Sequence, residues 1–156
     1  MIILGYPGIG KSTICRDNQK YIDLESSNFY DEYGNRPDKW WVYYCKTAID
    51  LHRQGYTVFM SIHDEVREYF EHDIFSYNVV MVYPDRNLKD AWIKKLEERY
   101  LNSGDIGDRK AWEKTRDKFE VNLESIEKSD LSRHILTSMD YNLAMWVADA
   151  NDWYNN

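Results

Sequence analysis

Apolar positions along the chain fall into two kinds of run. Short, nearly continuous β-branched and aromatic stretches at residues 2–4, 21–24, 56–62, 78–83 and 134–137 predict five strands. Longer segments repeat apolar residues every three or four positions and predict helices. The first spans about 11–18, and the second is capped by Asp38 and runs to Gln54, where Gly55 ends it in a left-handed turn. A short one follows over 65–72. Asn87 with Asp90 signals the start of a helix to about Leu101, Asp108 opens a long one, and Asp140 caps a terminal one through Ala150. In the second helix Trp41, Tyr44, Cys45, Ala48 and Leu51 share a face, which leaves Trp40 and Tyr43 outside it. In the long helix the inner face reads Trp112, Thr115, Phe119, Leu123 and Ile126. Strands alternating with helices predict an α/β fold on a parallel sheet. The run over 56–62 fits a strand covered on both faces.

The first predicted strand leads into Gly5-Tyr6-Pro7-Gly8-Ile9-Gly10-Lys11-Ser12, which satisfies GxxxxGK[ST]. The chemistry explains each residue type. Glycines let backbone N–H groups approach phosphate oxygens that a Cβ would hold off. The helix beginning at the loop adds the positive end of its dipole. Lys11 reaches toward β and γ phosphates, and the Ser12 hydroxyl suits one position on Mg²⁺. Thr13 carries a second hydroxyl beside the motif position, and Cys15 reads as packing.

With this loop between a strand and a helix, the chain resembles the P-loop nucleoside and nucleotide kinases, a group that includes adenylate kinase, shikimate kinase and the 5′-hydroxyl polynucleotide kinases. The resemblance implies a three-layer P-loop NTPase fold: a five-stranded parallel sheet in the order 2-3-1-4-5 with helices on both faces. It also implies ATP and Mg²⁺ as cofactors, with Gly5, Gly8, Ile9, Gly10, Lys11, Ser12 and Thr13 around the donor phosphates. Asp23, at the end of the second strand, matches the aspartate that orients or deprotonates an acceptor; a turn or helix-capping role is its alternative. Arg36 lies where these kinases often place an acceptor-phosphate arginine. After the third strand adenylate kinase carries Asp-Gly-Phe-Pro-Arg, whereas this chain reads His63-Asp64-Glu65-Val66-Arg67. Arg67 therefore aligns as an acceptor contact, and Asp64 takes the Mg²⁺ carboxylate role. Arg99, Arg109 and Arg116 match the arginines of a short lid around 99–116, where guanidinium groups neutralise the migrating phosphoryl group. A solvated face of mixed charge is the alternative for these helices, which also carry Glu97, Glu98, Glu113 and Asp117.

Composition narrows the range further. The 156 residues suit one domain, 1–156, and 43% hydrophobic content is enough for a core. No apolar run approaches the ~20 residues of a membrane span. No secretion leader is visible at the start, and two cysteines are too few for a disulfide scaffold, so a cytoplasmic location is expected. The net charge of −7 argues against bulk-charge binding to nucleic acid. The expected activity is phosphoryl transfer to a small nucleotide or nucleoside-type acceptor, by a monomer or homodimer. A 5′-hydroxyl polynucleotide kinase and an NTP-driven switch without an acceptor are the alternatives. Trp153 and Tyr154 in the tail are open to packing on the fold or to a dimer contact.

Overall fold

Successive side chains of a strand point to opposite faces, so a strand buried at every position must be covered twice. The computed structural model, which describes residues 1–74 and 76–155, has two such strands. They are β1 (Ile2–Gly5) and β4 (Val79–Pro84). With β2 (Tyr21–Asp23), β3 (Thr57–Ser61) and β5 (Ser132–Leu136) they form one parallel sheet in the order β2-β3-β1-β4-β5. The helices are α1 (Lys11–Arg16), α2 (Trp40–Arg53), α3 (Asp64–Glu71), α4 (Lys89–Ser103), α5 (Ile106–Glu127) and α6 (Leu143–Asn155). None among the described residues is long and apolar enough to cross a membrane.

The strand order sets where a site can form. From β1 the chain moves outward to β2, but from β3 it crosses back over β1 to β4. Right-handed crossovers then place α1 on one face and α3 on the other. Between the carboxyl ends of β1 and β3, where Gly5 pairs with Ser61, the two connections diverge and leave a crevice. Helices α4 and α5 form an antiparallel hairpin joined at Gly104, whose φ of +64° ends α4. Its base is tied to the loop after β1: Tyr6 Oη lies 3.2 Å from Thr115 Oγ1, and the Tyr6 ring meets Phe119 edge-on.

The predicted strands and helices all form, and the predicted α5 face is inward. Its Thr115, Phe119, Leu123 and Ile126 are buried, with Trp112 half-buried. The predicted caps need correction. Lys39, left-handed at φ +53°, precedes α2 with no side-chain cap from Asp38. Residues 86–88 form a short 3₁₀ turn, so α4 starts after Leu88 and Asn87 does not cap it. Asp105, not Asp108, caps α5 by accepting from Asp108 N at 3.1 Å. Asn142, not Asp140, accepts from Met145 N at the start of α6. For α5 and α6 a small polar residue a few positions away takes the role, whereas α2 and α4 begin with no side-chain cap.

The α2 face is also rotated from the expected one. Trp40 is 6% exposed and Trp41 only half-buried. Trp40 turns inward because Phe29, Tyr44 and His63 surround it with rings 5.2–5.8 Å away. Tyr43 is exposed, as expected. In the tail Tyr154 packs against the core while Trp153 is exposed; Asn156 lies outside the described residues.

Candidate functional site

The loop after β1 makes one wall of the crevice. Gly8 and Gly10 adopt φ of +90° and +104°, a region L side chains rarely enter. A Cβ on Gly8 would also stand 2.9 Å from Leu96 of α4. Lys11, half-buried, folds back so that Nζ donates to Gly5 O at 3.4 Å. Burial holds its pKa below the ordinary lysine value; Asp23 and Glu25 oppose that and Arg99 adds to it. Lys11, Asp23, Glu25 and Arg99 thus act on one another electrostatically across the loop and the end of β2.

Asp23 ends β2 and is half-buried. Its Oδ1 is buried and has no hydrogen-bond partner among the described residues. Burial, reinforced by Glu25, pushes the carboxyl up to about 6, while Lys11 and Arg99 pull it back. Such a group is ionised at neutral pH yet basic enough to accept a proton. Cys15 also feels Lys11 and Asp23, but burial raises its thiol to about 12, so it stays protonated.

The opposite wall is built around Ser26, buried at the start of a 3₁₀ turn (Ser26–Phe29). Its Oγ accepts from Arg36 Nη2 at 3.2 Å, lies 3.1 Å from His63 Nε2 and donates to Ser61 Oγ at 3.2 Å. Tyr44 pins this wall to β3, donating to Leu24 O at 2.6 Å and accepting from Ser61 N at 2.8 Å. The Arg36 guanidinium carbon lies 4.2 Å from both the Tyr30 and Trp40 ring centroids. Its Nε is buried with no acceptor among the described residues. From α5, Lys110 Nζ approaches the Tyr30 ring at 5.1 Å, and Lys114 acts electrostatically on His63. This wall is therefore cationic although the chain is acidic.

Burial, then Arg36, Lys114 and Lys11, depress the His63 pKa to about 3. The folded protein thus binds fewer protons than the unfolded chain between about 3 and the ordinary 6.5. Stability from this site is complete above about pH 6.5 and lost as pH falls toward 3. His63→Gln, which keeps a polar group near Ser26, is expected to flatten this acid sensitivity. Urea midpoints at pH 7.5 and 4.5 should differ less in the variant than in the parent; an equal difference would count against the half-buried neutral histidine.

The remaining expected site residues are placed as follows. Arg99 pairs with Asp108 at 2.8 Å, and of Arg99, Arg109 and Arg116 it is the one whose charge acts on Lys11 and Asp23. It extends a face of α4 that runs Trp92, Lys95, Leu96, Arg99 at helical spacing. Arg109 pairs with Glu113 and Arg116 with Asp117, each at 2.8 Å, and both are exposed. Arg116 also lies 4.9 Å over the Trp112 ring. Arg67 is 5% exposed and donates to Ile62 O at 3.2 Å, and to Asp64 Oδ1 and Ser125 Oγ at 2.7 Å each. Asp64 and Arg67 thereby tie the end of β3 to α5. Gly5, Ile9, Ser12 and Thr13 lie in or beside the loop, Ser12 and Thr13 exposed at the start of α1. Sequence reasoning did not select Ser26, His63, Lys110 or Lys114 for the site. The spacing of four between the lysines was the available signal for one helix face.

Among the described residues no group of three or more His, Cys, Asp or Glu is arranged to hold a metal ion. Magnesium needs no such cage, since it is commonly held by one or two carboxylates, phosphate oxygens and waters. The Ser12 hydroxyl and the orphaned Asp23 oxygen fit that donor chemistry. Two open grooves lie elsewhere, one of about 460 Å³ lined by Trp41, Glu65 and Tyr69, the other of about 310 Å³ beside Arg67 and Ser125. Neither touches Lys11 or Asp23. Fold and site define an open parallel α/β protein with a crevice at the switch point of its sheet. The chain matches no protein-family model and no curated protein.

Proposed function

We propose that the chain is a P-loop kinase that uses ATP and Mg²⁺ to phosphorylate a nucleotide-type acceptor. The observation that carries this reading is the electrostatic coupling of Lys11, in a glycine loop at the end of β1, to Asp23 at the end of β2, whose carboxyl is elevated and whose buried Oδ1 has no hydrogen-bond partner among the described residues. Residues Gly5, Gly8, Ile9, Gly10, Lys11, Ser12 and Thr13 surround the donor phosphates. Magnesium, held by Ser12 and a carboxylate of Asp23 or Asp64, would supply charge neutralisation at the phosphate oxygens. Asp23 orients the acceptor and takes up its proton where the acceptor is a hydroxyl. Arg99 stands nearest the developing charge, with Arg109 and Arg116 along the hairpin available on closure. Arg36, with Lys110 and Lys114, receives an anionic group of the acceptor, and Arg67 anchors the wall behind it. That cationic wall favours a nucleotide over an uncharged nucleoside.

The test is ADP release from Mg·ATP with nucleoside monophosphates, nucleosides, shikimate-like alcohols and a 5′-hydroxyl oligonucleotide as acceptors. A monophosphate is expected to stimulate turnover by orders of magnitude and its parent nucleoside far less. Stimulation by the oligonucleotide alone would move the acceptor to polynucleotide ends. Tight ATP binding without any stimulation would replace the kinase by a nucleotide-driven switch.

A further inference from the structure

A trans peptide holds each N–H opposite the preceding C=O, so whatever fixes a loop's carbonyls also fixes where its amides point. Three successive carbonyls of the Gly5–Ser12 loop are taken by side chains from outside it. Trp92 Nε1 on α4 donates to Pro7 O at 2.8 Å. Tyr141 Oη, just before α6, lies 2.9 Å from Ile9 O and 3.3 Å from Gly8 O. Lys95 Nζ donates to the same Tyr141 oxygen at 2.9 Å. Because an ammonium only donates, the single hydroxyl hydrogen of Tyr141 is left for the loop carbonyls. The two rings stack at 6.1 Å and 21°, and the Lys95 charge lies 4.6 Å from the Trp92 centroid and 5.1 Å from that of Tyr141.

We infer that Trp92 and Tyr141 are positioning residues that clamp the carbonyls of Pro7, Gly8 and Ile9 on the side away from the donor phosphates, with Lys95 polarising the Tyr141 hydroxyl. The amides that follow those carbonyls belong to Gly8, Ile9 and Gly10. Ile9 N turns to Tyr6 O at 3.3 Å, whereas Gly8 N–H and Gly10 N–H have no backbone acceptor among the described loop contacts and are open to a phosphate oxygen. A glycine-rich loop does not hold this arrangement by itself, since glycine lets a peptide unit rotate at little cost. A rotated peptide would present a carbonyl oxygen to phosphate and replace attraction by repulsion. Tyr141 stays a donor throughout the neutral range, because burial raises its pKa to about 12. The clamp also bolts α4 to the loop, so closure of the hairpin must occur beyond Leu96, toward Arg99 and Gly104.

The inference rests on the donor-binding reading of the loop and is tested on the full chain with two probes, Mg·ATP and inorganic tripolyphosphate. Tyr141→Phe keeps the ring stack and removes the hydroxyl; Trp92→Phe keeps a ring and removes the indole N–H. Each is expected to weaken binding of both probes by about tenfold, the scale of one lost hydrogen bond to a charged ligand's cradle. In turnover the donor KM should rise while the acceptor KM stays unchanged, a split that general loosening of the fold would not produce. If Trp92→Phe lowers the melting temperature, Tyr141→Phe alone carries the test. Weakening of ATP but not of tripolyphosphate would overturn the inference by moving the Tyr141 contact to the base. Unchanged binding of both probes by the variants would overturn it as well. Failure of the parent chain to bind either probe would overturn the donor reading, and this inference with it.

Discussion

Lys11→Ala is expected to lower acceptor-stimulated ATP turnover by about 10²–10³-fold or more, the scale for removing one preorganised electrostatic contact from a transition state. Lys11 carries the charge nearest the loop, and burial already weakens its own solvation, so little reorganisation is needed when it meets phosphate. Its contribution to the fold is small: one long hydrogen bond of 3.4 Å to Gly5 O, from a side chain that is only half-buried. The variant should therefore melt close to the parent temperature while turnover collapses. Removing Lys11 also removes the larger of the two charges, with Arg99, that oppose the elevation of Asp23, so the carboxyl should titrate higher still in the variant. Full activity in Lys11→Ala would sink the phosphoryl-transfer mechanism.

Asp23→Asn is expected to move activity and stability in opposite directions. Loss of the carboxylate that orients the acceptor lowers turnover, by about 10²–10⁴-fold with a hydroxyl acceptor whose proton it takes up, and the donor KM is little changed. The stability effect follows from linkage. A carboxyl whose pKa rises from 3.8 to about 6 on folding binds more protons in the folded state across that window. Its stabilising contribution is complete below 3.8 and lost as pH rises through about 6, so at neutral pH the ionised group burdens the fold. Asparagine carries no such burden. The variant should melt above the parent at pH 8, and the gap should narrow at pH 5. This is the behaviour of a group kept for chemistry and not for packing. An equal or lower melting temperature for the variant at pH 8 would show that Asp23 is held by partners the fold needs.

The sheet was legible in the sequence because each buried strand is marked by what it cannot contain. Ile2, Ile3 and Leu4, or Val79 to Val82, leave no position for a solvated face, and the predicted runs match the strands to within two residues. The glycine loop was legible for a similar reason: Gly8 and Gly10 adopt backbone conformations that other residues oppose, and Gly8 also lies too close to Leu96 for a Cβ. The caps were less legible, since Asp105 and Asp108, or Asp140 and Asn142, are small polar residues a few positions apart, and α2 and α4 begin with no side-chain cap. The rotation of α2 was hidden as well. Adjacent Trp40 and Trp41 are equally apolar, and only the ring cluster with Phe29, Tyr44 and His63 brings Trp40 inside.

The site divides along the same line. Gly5 to Ser12 and Asp23 are determined by the sequence itself, because their chemistry lies in contiguous residue types and in position at strand ends. The cationic wall of Arg36, Lys110 and Lys114 was decided only by the tertiary structure, as was the clamp of Trp92, Lys95 and Tyr141 on the loop carbonyls. The wall joins groups more than seventy residues apart, and the clamp reaches some 85 to 133 residues along the chain to its carbonyls. Local pattern records which face of a helix is apolar; it does not record which distant backbone that face will meet. Folding brings those groups together, and side-chain geometry then sets which charges stay open to a ligand and which, as with buried Arg67, are taken up in tying the end of β3 to α5.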